Sequence, residues 1–208
     1  MPDTYVSTEP VPSTALASAL PRREAGTRSR GGNAMARTRA GLLDGALRAV
    51  ARDGVRHTTM NDIAAEAGIA KATLYNHFRT KDDVLAALVE AQVRIIAAEC
   101  RPMPLVDALE HAASRVCEHP ALRRVARTEP RVVAAMLASG PRSAGWQSAA
   151  EELRGHLGDL GGREADAVDL VLRWLVTFVA RPARPGAVRA AAELLARILS
   201  SANVSPGL

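Results

Sequence analysis

The stretch T-M-N-D-I-A-A-E-A-G-I-A-K-A-T-L-Y-N-H-F-R-T-K, from Thr59 to Lys81, constrains the fold of this chain more than any other, because it encodes two short helices around one tight turn. Thr59 stands as the N-cap of the first helix, with Asp62 three residues later. That pair is a carboxylate variant of the capping box, which satisfies free amide donors and suits the positive end of a helix. Gly68 stops this helix, since glycine takes the left-handed conformation that a helix C-terminus commonly needs. The chain then turns through Ile69 and Ala70 and enters a second helix at Lys71. Ile63, Ala64, Ala67, Ile69, Leu74 and Phe78 fall at spacings that let the two helices bury one shared face. Thr80 and Asp83 repeat the cap, so a third helix starts beside Lys81.

Two helices around such a turn form a helix-turn-helix, and the residues left outward on the second helix suit DNA. Lys71, Ala72, Thr73, Tyr75, Asn76 and His77 can donate hydrogen bonds, stack, or touch a thymine methyl in a major groove. Lys81 would bring a cation and helix-end amides near the DNA backbone. Ahead of the motif, Leu43, Ala46, Leu47 and Val50 repeat at three and four, predicting a helix from Arg37 to about Arg52 that ends at Asp53-Gly54. Charge follows the same placement. Residues 37–81 hold eight Lys and Arg against four acids, whereas residues 82–208 hold fifteen of each sign. The excess positive charge therefore lies on the motif, as an electrostatic footprint for nucleic acid requires.

The order of these residues closely resembles the DNA-binding domain of the TetR family of bacterial transcriptional regulators. The shared elements are Thr59, Ile63-Ala64, Ala67-Gly68, Thr73-Leu74-Tyr75, His77-Phe78 and Lys81, and the resemblance runs from about Arg37 to Leu88. It departs at Ala70, where the family usually has a capping serine, a change that costs about 1 kcal/mol of local helix stability. It departs again at Ala72, where glycine is frequent. The resemblance implies that Arg37 and Arg39 touch phosphates or reach into the minor groove; two solvated arginines are the plain alternative. The expected DNA contacts are then Arg37, Arg39, Thr59, Lys71, Ala72, Thr73, Tyr75, Asn76, His77 and Lys81. It further implies a homodimer on a palindromic operator in double-stranded DNA, and a small-molecule effector, held in a helical core, whose binding releases the DNA.

The rest of the chain reads as helix, giving an all-α fold of three parts. Residues 1–36, rich in Pro, Ser, Thr, Ala and Gly, read as a disordered tail, residues 37–82 as the helix-turn-helix domain and residues 83–208 as a helical regulatory and dimerisation domain. A connector from Lys81 to Cys100 is followed by helical stretches at about 104–118, 120–127, 130–138, 143–158, 164–180 and 186–201, separated by Pro or Gly. Arginines that follow the apolar stretch Ala15 to Leu20, and do not precede it, argue against a signal peptide, and Met35 offers an alternative translation start. Cys100 and Cys117 without a C-x-x-C fit a reducing cytoplasm, and Val168 to Val179 is too short to span a membrane.

Two surfaces of the larger part are singled out. The helix from Glu164 is apolar nearly all round, and with the last helix it supplies an expected dimer interface of Leu172, Leu175, Val176, Val179, Val188, Ala191, Leu195 and Ile198. Met103, His111, Met136, Trp146, Arg173, Trp174 and Phe178 are candidates to line a ligand pocket, against the plainer reading of core. Arg173, placed amid apolar residues, needs a partner: either Asp169 one turn earlier or an acidic ligand in a cavity. His111, Cys117 and His119 match no strong metal spacing, and no G-x-S-x-G, Walker loop or H-E-x-x-H occurs. No metal, no cofactor and no catalytic residue is expected, and the chain reads as a regulator and not as an enzyme. A repressor released by a ligand leads. An activator or a partner-controlled DNA-binding protein comes next, and a helical enzyme or ligand-binding protein with a vestigial DNA domain stands last.

Overall fold

The computed structural model describes residues 28–139, 143–158, 160, 162–184 and 186–201, and every regular element among them is an α-helix. The helices are α1 (Arg28–Asp53), α2 (Met60–Ala67), α3 (Lys71–His77), α4 (Lys81–Cys100), α5 (Leu105–Glu118), α6 (Pro120–Thr128), α7 (Pro130–Ser139), α8 (Ala144–Leu157), α9 (Glu164–Ala180) and α10 (Ala187–Ser201). The boundaries follow the Pro and Gly punctuation of the sequence within a residue or two, except at the start. There α1 begins at Arg28, so residues 28–36, expected as disordered tail, are helical. Ala34-Met35-Ala36 favour helix, and the Thr38 hydroxyl donates to the Ala34 carbonyl at 3.0 Å. Met35 stays 62% exposed, so this extension is held by its own backbone and not by packing. Residues 1–27 of the expected tail lie outside the described residues.

Both expected capping boxes form. Thr59 accepts the Asp62 amide and its own amide donates to the Asp62 carboxylate at 2.8 Å; Thr80 and Asp83 do the same at the head of α4. These bonds hold the Asp62 and Asp83 carboxyls below the usual carboxylate range. Gly68, at φ +64°, ends α2 in the left-handed conformation, and Ala70 starts α3 with no side-chain cap. Leu42, Leu43, Ala46, Ile63, Leu74, Phe78, Val84 and Leu88 form one buried cluster, which joins α1, α2, α3 and the first turns of α4. Close approach of α1 to α2 depends on Gly45: a Cβ there would lie 2.7 Å from the Ala67 amide nitrogen and 2.8 Å from its Cβ.

A second cluster centres on Leu109, Val171, Ala192, Leu195 and Leu199, from α5, α9 and α10. A third, of Val50, Ala121, Val125, Val133 and Val179, packs α1 against α6, α7 and α9. The same junction carries a polar clamp. Glu129, between α6 and α7 and only 5% exposed, accepts the backbone amides of Val55 at 3.1 Å and Arg56 at 3.0 Å. Gly54, at φ +83°, turns these amides toward the carboxylate, and a Cβ at Gly54 would collide with that carboxylate. From the other side Lys81 Nζ donates to the Val55 carbonyl at 2.9 Å.

Two expectations for α9 change. The helix is not apolar all round: Leu170, Arg173 and Thr177 point outward, while Val168, Val171, Leu172, Phe178 and Val179 are buried. Arg173 is 66% exposed and pairs with Asp169 one turn earlier, so its charge is solvated, and it does not line the main chamber. At the α5–α6 corner His119 serves as the N-cap of α6, its ring accepting the Leu122 amide at 3.4 Å. Burial, reinforced by the nearby Arg115 cation, pushes this imidazole down from about 6.5 to about 4.

Two outcomes follow from these contacts. Gly45→Ala forces α1 off α2, because the colliding atoms include backbone, and should lower stability by about 1–3 kcal/mol in urea unfolding; an unchanged midpoint would contradict the packing. His119 is neutral in the folded chain and protonates more readily when unfolded, so its contribution is complete above pH 6.5 and declines as pH falls toward 4. The loss is on the order of 3 kcal/mol, and His119→Asn, which keeps a capping oxygen, should flatten that part of the stability curve between pH 6.5 and 4.

Candidate nucleic-acid interface and ligand chamber

α3 is a seven-residue helix held from beneath by two side chains, Leu74 at 0% and Phe78 at 4% exposure. Burying that pair turns Lys71, Ala72, Tyr75 and Asn76 to solvent, with Thr73 and His77 half-buried at the edges. Tyr75 keeps 45% of its surface exposed, and the Lys71 ammonium lies 5.8 Å from the centre of its ring. That cation–π contact steadies both side chains on the outer face. Arg37 is exposed on α1, whereas Arg39 is half-buried, its guanidinium 5.0 Å above the Phe78 ring. Arg37 and Lys71 enter none of the ion pairs among the described residues, unlike Arg48 and Arg52, which are bound by Asp44, Asp53 and Glu66. Thr59 is exposed, but its hydroxyl also donates to Asp62 at 2.6 Å. Lys81 is the least available of the ten expected contacts, since its ammonium is already occupied by Val55.

Behind this face, α4 to α9 line a half-open chamber of about 910 Å³. Its wall is chiefly apolar, with Leu85, Val89, Val93 and Ile96 from α4, Val116 from α5, Val125 from α6 and Leu175 from α9. Such a volume, apolar with a few polar groups, is of the size that takes a drug-sized or larger organic ligand. Of the seven expected lining residues, Met136 and Trp146 are in the wall. Met103, His111, Arg173, Trp174 and Phe178 are not. His111 hydrogen-bonds Glu99 at 2.8 Å outside the chamber, and Trp174 packs edge-on against Phe178 at 5.0 Å within the helix stack. Burial pushes the Cys100 thiol of the wall up, away from reactive thiolate.

Sequence reasoning missed the polar groups that do face the chamber. Arg115 and His119 stand one helical turn apart where α5 ends, and both line the wall. The signal in the sequence is two basic groups at i and i+4 on a face otherwise apolar, which weighing His119 only as a metal ligand overlooks. Near α8 the wall also carries Gln92, Ser143, His156, Glu151 and an Arg101–Glu152 ion pair at 2.9 Å. No cluster of His, Cys, Asp or Glu that could hold a metal ion occurs among the described residues, and no described helix is long and apolar enough to cross a membrane.

The expected dimer residues divide. Leu172, Val179 and Leu195 are buried in the chain's own core, and Leu175 and Val176 line the chamber, so these five are already covered. Val188 and Ala191 are half-buried on α10, and Ile198 is 58% exposed. Leu170 at 43% and Leu194 at 61% exposure join Ile198 as the large apolar side chains that α9 and α10 leave outward.

Residues 42–88 match the family model described as bacterial regulatory proteins, tetR family. The HTH-type transcriptional regulator TtgR of Pseudomonas putida is 39% identical over 54 residues, which is 26% of either chain. The match therefore spans about a quarter of that relative's length. An uncharacterized HTH-type transcriptional regulator of Mycobacterium tuberculosis is 25% identical over 143 residues, 66% of this chain and 70% of its own. Among solved structures, the TetR family repressor AlkX from a Dietzia strain superposes with a TM-score of 0.60 at 16% identity, covering 78% of this chain and 95% of AlkX. GusR of Salmonella enterica gives 0.54 at 22% identity over 79% and 94%. Those two likenesses extend the shared fold beyond the helix-turn-helix to the helices of the chamber. Residues 42–88 thus match the tetR family of bacterial regulatory proteins, and the helical architecture of the chain is the fold of the TetR family repressor AlkX.

Proposed function

We propose that the protein is a homodimeric, sequence-specific DNA-binding repressor that leaves a palindromic operator when a small apolar molecule fills its chamber. The observation that carries this reading is the outer face of α3. Lys71, Ala72, Tyr75 and Asn76 stand exposed on a helix whose opposite face is buried, which fixes them in one orientation for a major groove. Arg37 adds a solvated cation from α1 for phosphate. Lys81 acts in this scheme by fixing the loop before α2, and the DNA contacts fall to the other expected residues.

Two copies are needed to place two α3 helices on a palindrome about 34–36 Å apart. Leu170, Leu194 and Ile198 are the apolar residues that pairing would cover, in place of the five already used within the chain. Release is favoured by the way the chamber meets α1. Helices α4 and α6, both chamber walls, pack directly on α1, and Glu129 at the end of α6 holds the loop that leads into α2. A ligand that binds best when those walls stand apart shifts the population toward a spacing that no longer fits the operator. AlkX is a repressor implicated in biodegradation of n-alkanes, which agrees with an apolar chamber and a repressor role.

Selection from a random DNA pool by the purified full chain tests this. The expected product is an inverted repeat bound with steep salt dependence, because phosphate contacts release counterions. Tyr75→Ala should weaken binding to that site roughly 5- to 150-fold with an unchanged melting curve, and Arg37→Ala should lower the salt slope by about 1. Failure to enrich any sequence, or a Tyr75→Ala chain that binds as well as wild type, would count against the reading.

A further inference from the structure

We infer, on the reading of the chamber as effector site, that its ligand is an amphipathic carboxylic acid whose apolar body fills the α4–α9 cavity and whose carboxylate is held by Arg115 and His119. Over about 910 Å³ the chamber wall is chiefly apolar, so a ligand polar along its length would lose hydrogen bonds to water with little in exchange. Polarity is confined to two places. One is the α8 side, where Gln92, Ser143 and His156 lie with two acids, Glu151 and Glu152, and where Arg101 is 66% exposed and already paired with Glu152. An acid is disfavoured there. The other is the α5–α6 corner.

At that corner both groups are donors. The Nδ1 atom of His119 accepts the Leu122 amide, which leaves the proton of the neutral ring on Nε2. Arg115 has a side chain only 29% exposed. Its Nε lies 3.2 Å from Glu99 Oε2, an oxygen shared with His111, and is buried without an aligned hydrogen bond. Glu99 thus comes nearest to the guanidinium at Nε, and its two Nη groups make no hydrogen bond among the described residues. A guanidinium fork beside an imidazole N–H calls for a head group that accepts only, is flat and takes two donors at once, as a carboxylate does. A protonated amine brings only donors, and an alcohol accepts through one uncharged oxygen, so neither offers the guanidinium a charged two-oxygen partner.

The test uses twelve-carbon probes on the full chain: dodecanoate, 1-dodecanol and dodecylamine, each below its micelle concentration. Trp146 in the chamber wall reports binding by its fluorescence, with calorimetry as the second readout. Dodecanoate should bind at least about tenfold more tightly than dodecanol, with dodecylamine weakest. Arg115→Gln should abolish the preference for the acid while leaving dodecanol affinity within about twofold, and Arg115→Lys should restore part of it. His119→Asn, which retains an oxygen to cap α6, should weaken the acid alone. Equal affinity for acid and alcohol, or an Arg115→Gln chain that still prefers the acid, overturns the head-group assignment and leaves the chamber reading standing. Binding of none of the three probes overturns the chamber reading itself.

Discussion

The two halves of this molecule are tied together at one buried carboxylate. Glu129 is almost fully withdrawn from water, and its oxygens are satisfied by the Val55 and Arg56 amides, 74 and 73 residues away in sequence. Withdrawing a carboxylate from water without donors costs several kcal/mol, so the loop and the α6–α7 corner are expected to move together. Because that loop leads directly into the Thr59 cap, the position of α2, and with it α3, is referred to α6. Lys81 reinforces the tie by gripping the Val55 carbonyl from the head of α4. One short loop is therefore held by the ends of two helices that also wall the chamber.

The contrast between the two halves is one of local against distant causes. Around α2 and α3 the fold rests on caps, a left-handed glycine and a shared apolar face. Each cap and turn is written within four residues of where it acts, so helix ends at Thr59, Gly68 and Thr80 are legible in the chain itself. The α4 to α10 boundaries are legible too, because Pro and Gly mark most of them. Gly45 is not, since its role is set by how near Ala67 comes across the α1–α2 contact. Glu129 is not, because nothing local distinguishes it from any acid beside a proline.

The chamber shows the same limit. Met136 and Trp146 can be picked out as large apolar residues, but Trp174 and Phe178, equally apolar, turn toward the helix stack. Arg173 looks buried from its apolar sequence neighbours, yet helical geometry carries it to the outer face beside Asp169. Arg115 is easily passed over because acidic and basic neighbours make α5 look like a solvated surface, while its turn of the helix faces inward. For α9, helical rotation assigns Leu172, Val176 and Val179 to the interior and leaves Leu170 outside. Composition alone cannot choose among these faces.

Glu129 holds the loop before α2, and the loop follows it. Amide hydrogen exchange at Val55 and Arg56 tests this most directly, because these two N–H groups are the ones the carboxylate accepts. Both should exchange far more slowly than other loop amides in the native chain, and both should lose that protection in Glu129→Ala while the α2 amides bonded within the helix keep theirs. Fast exchange of Val55 and Arg56 in the unaltered chain, or protection that survives Glu129→Ala, would contradict the account.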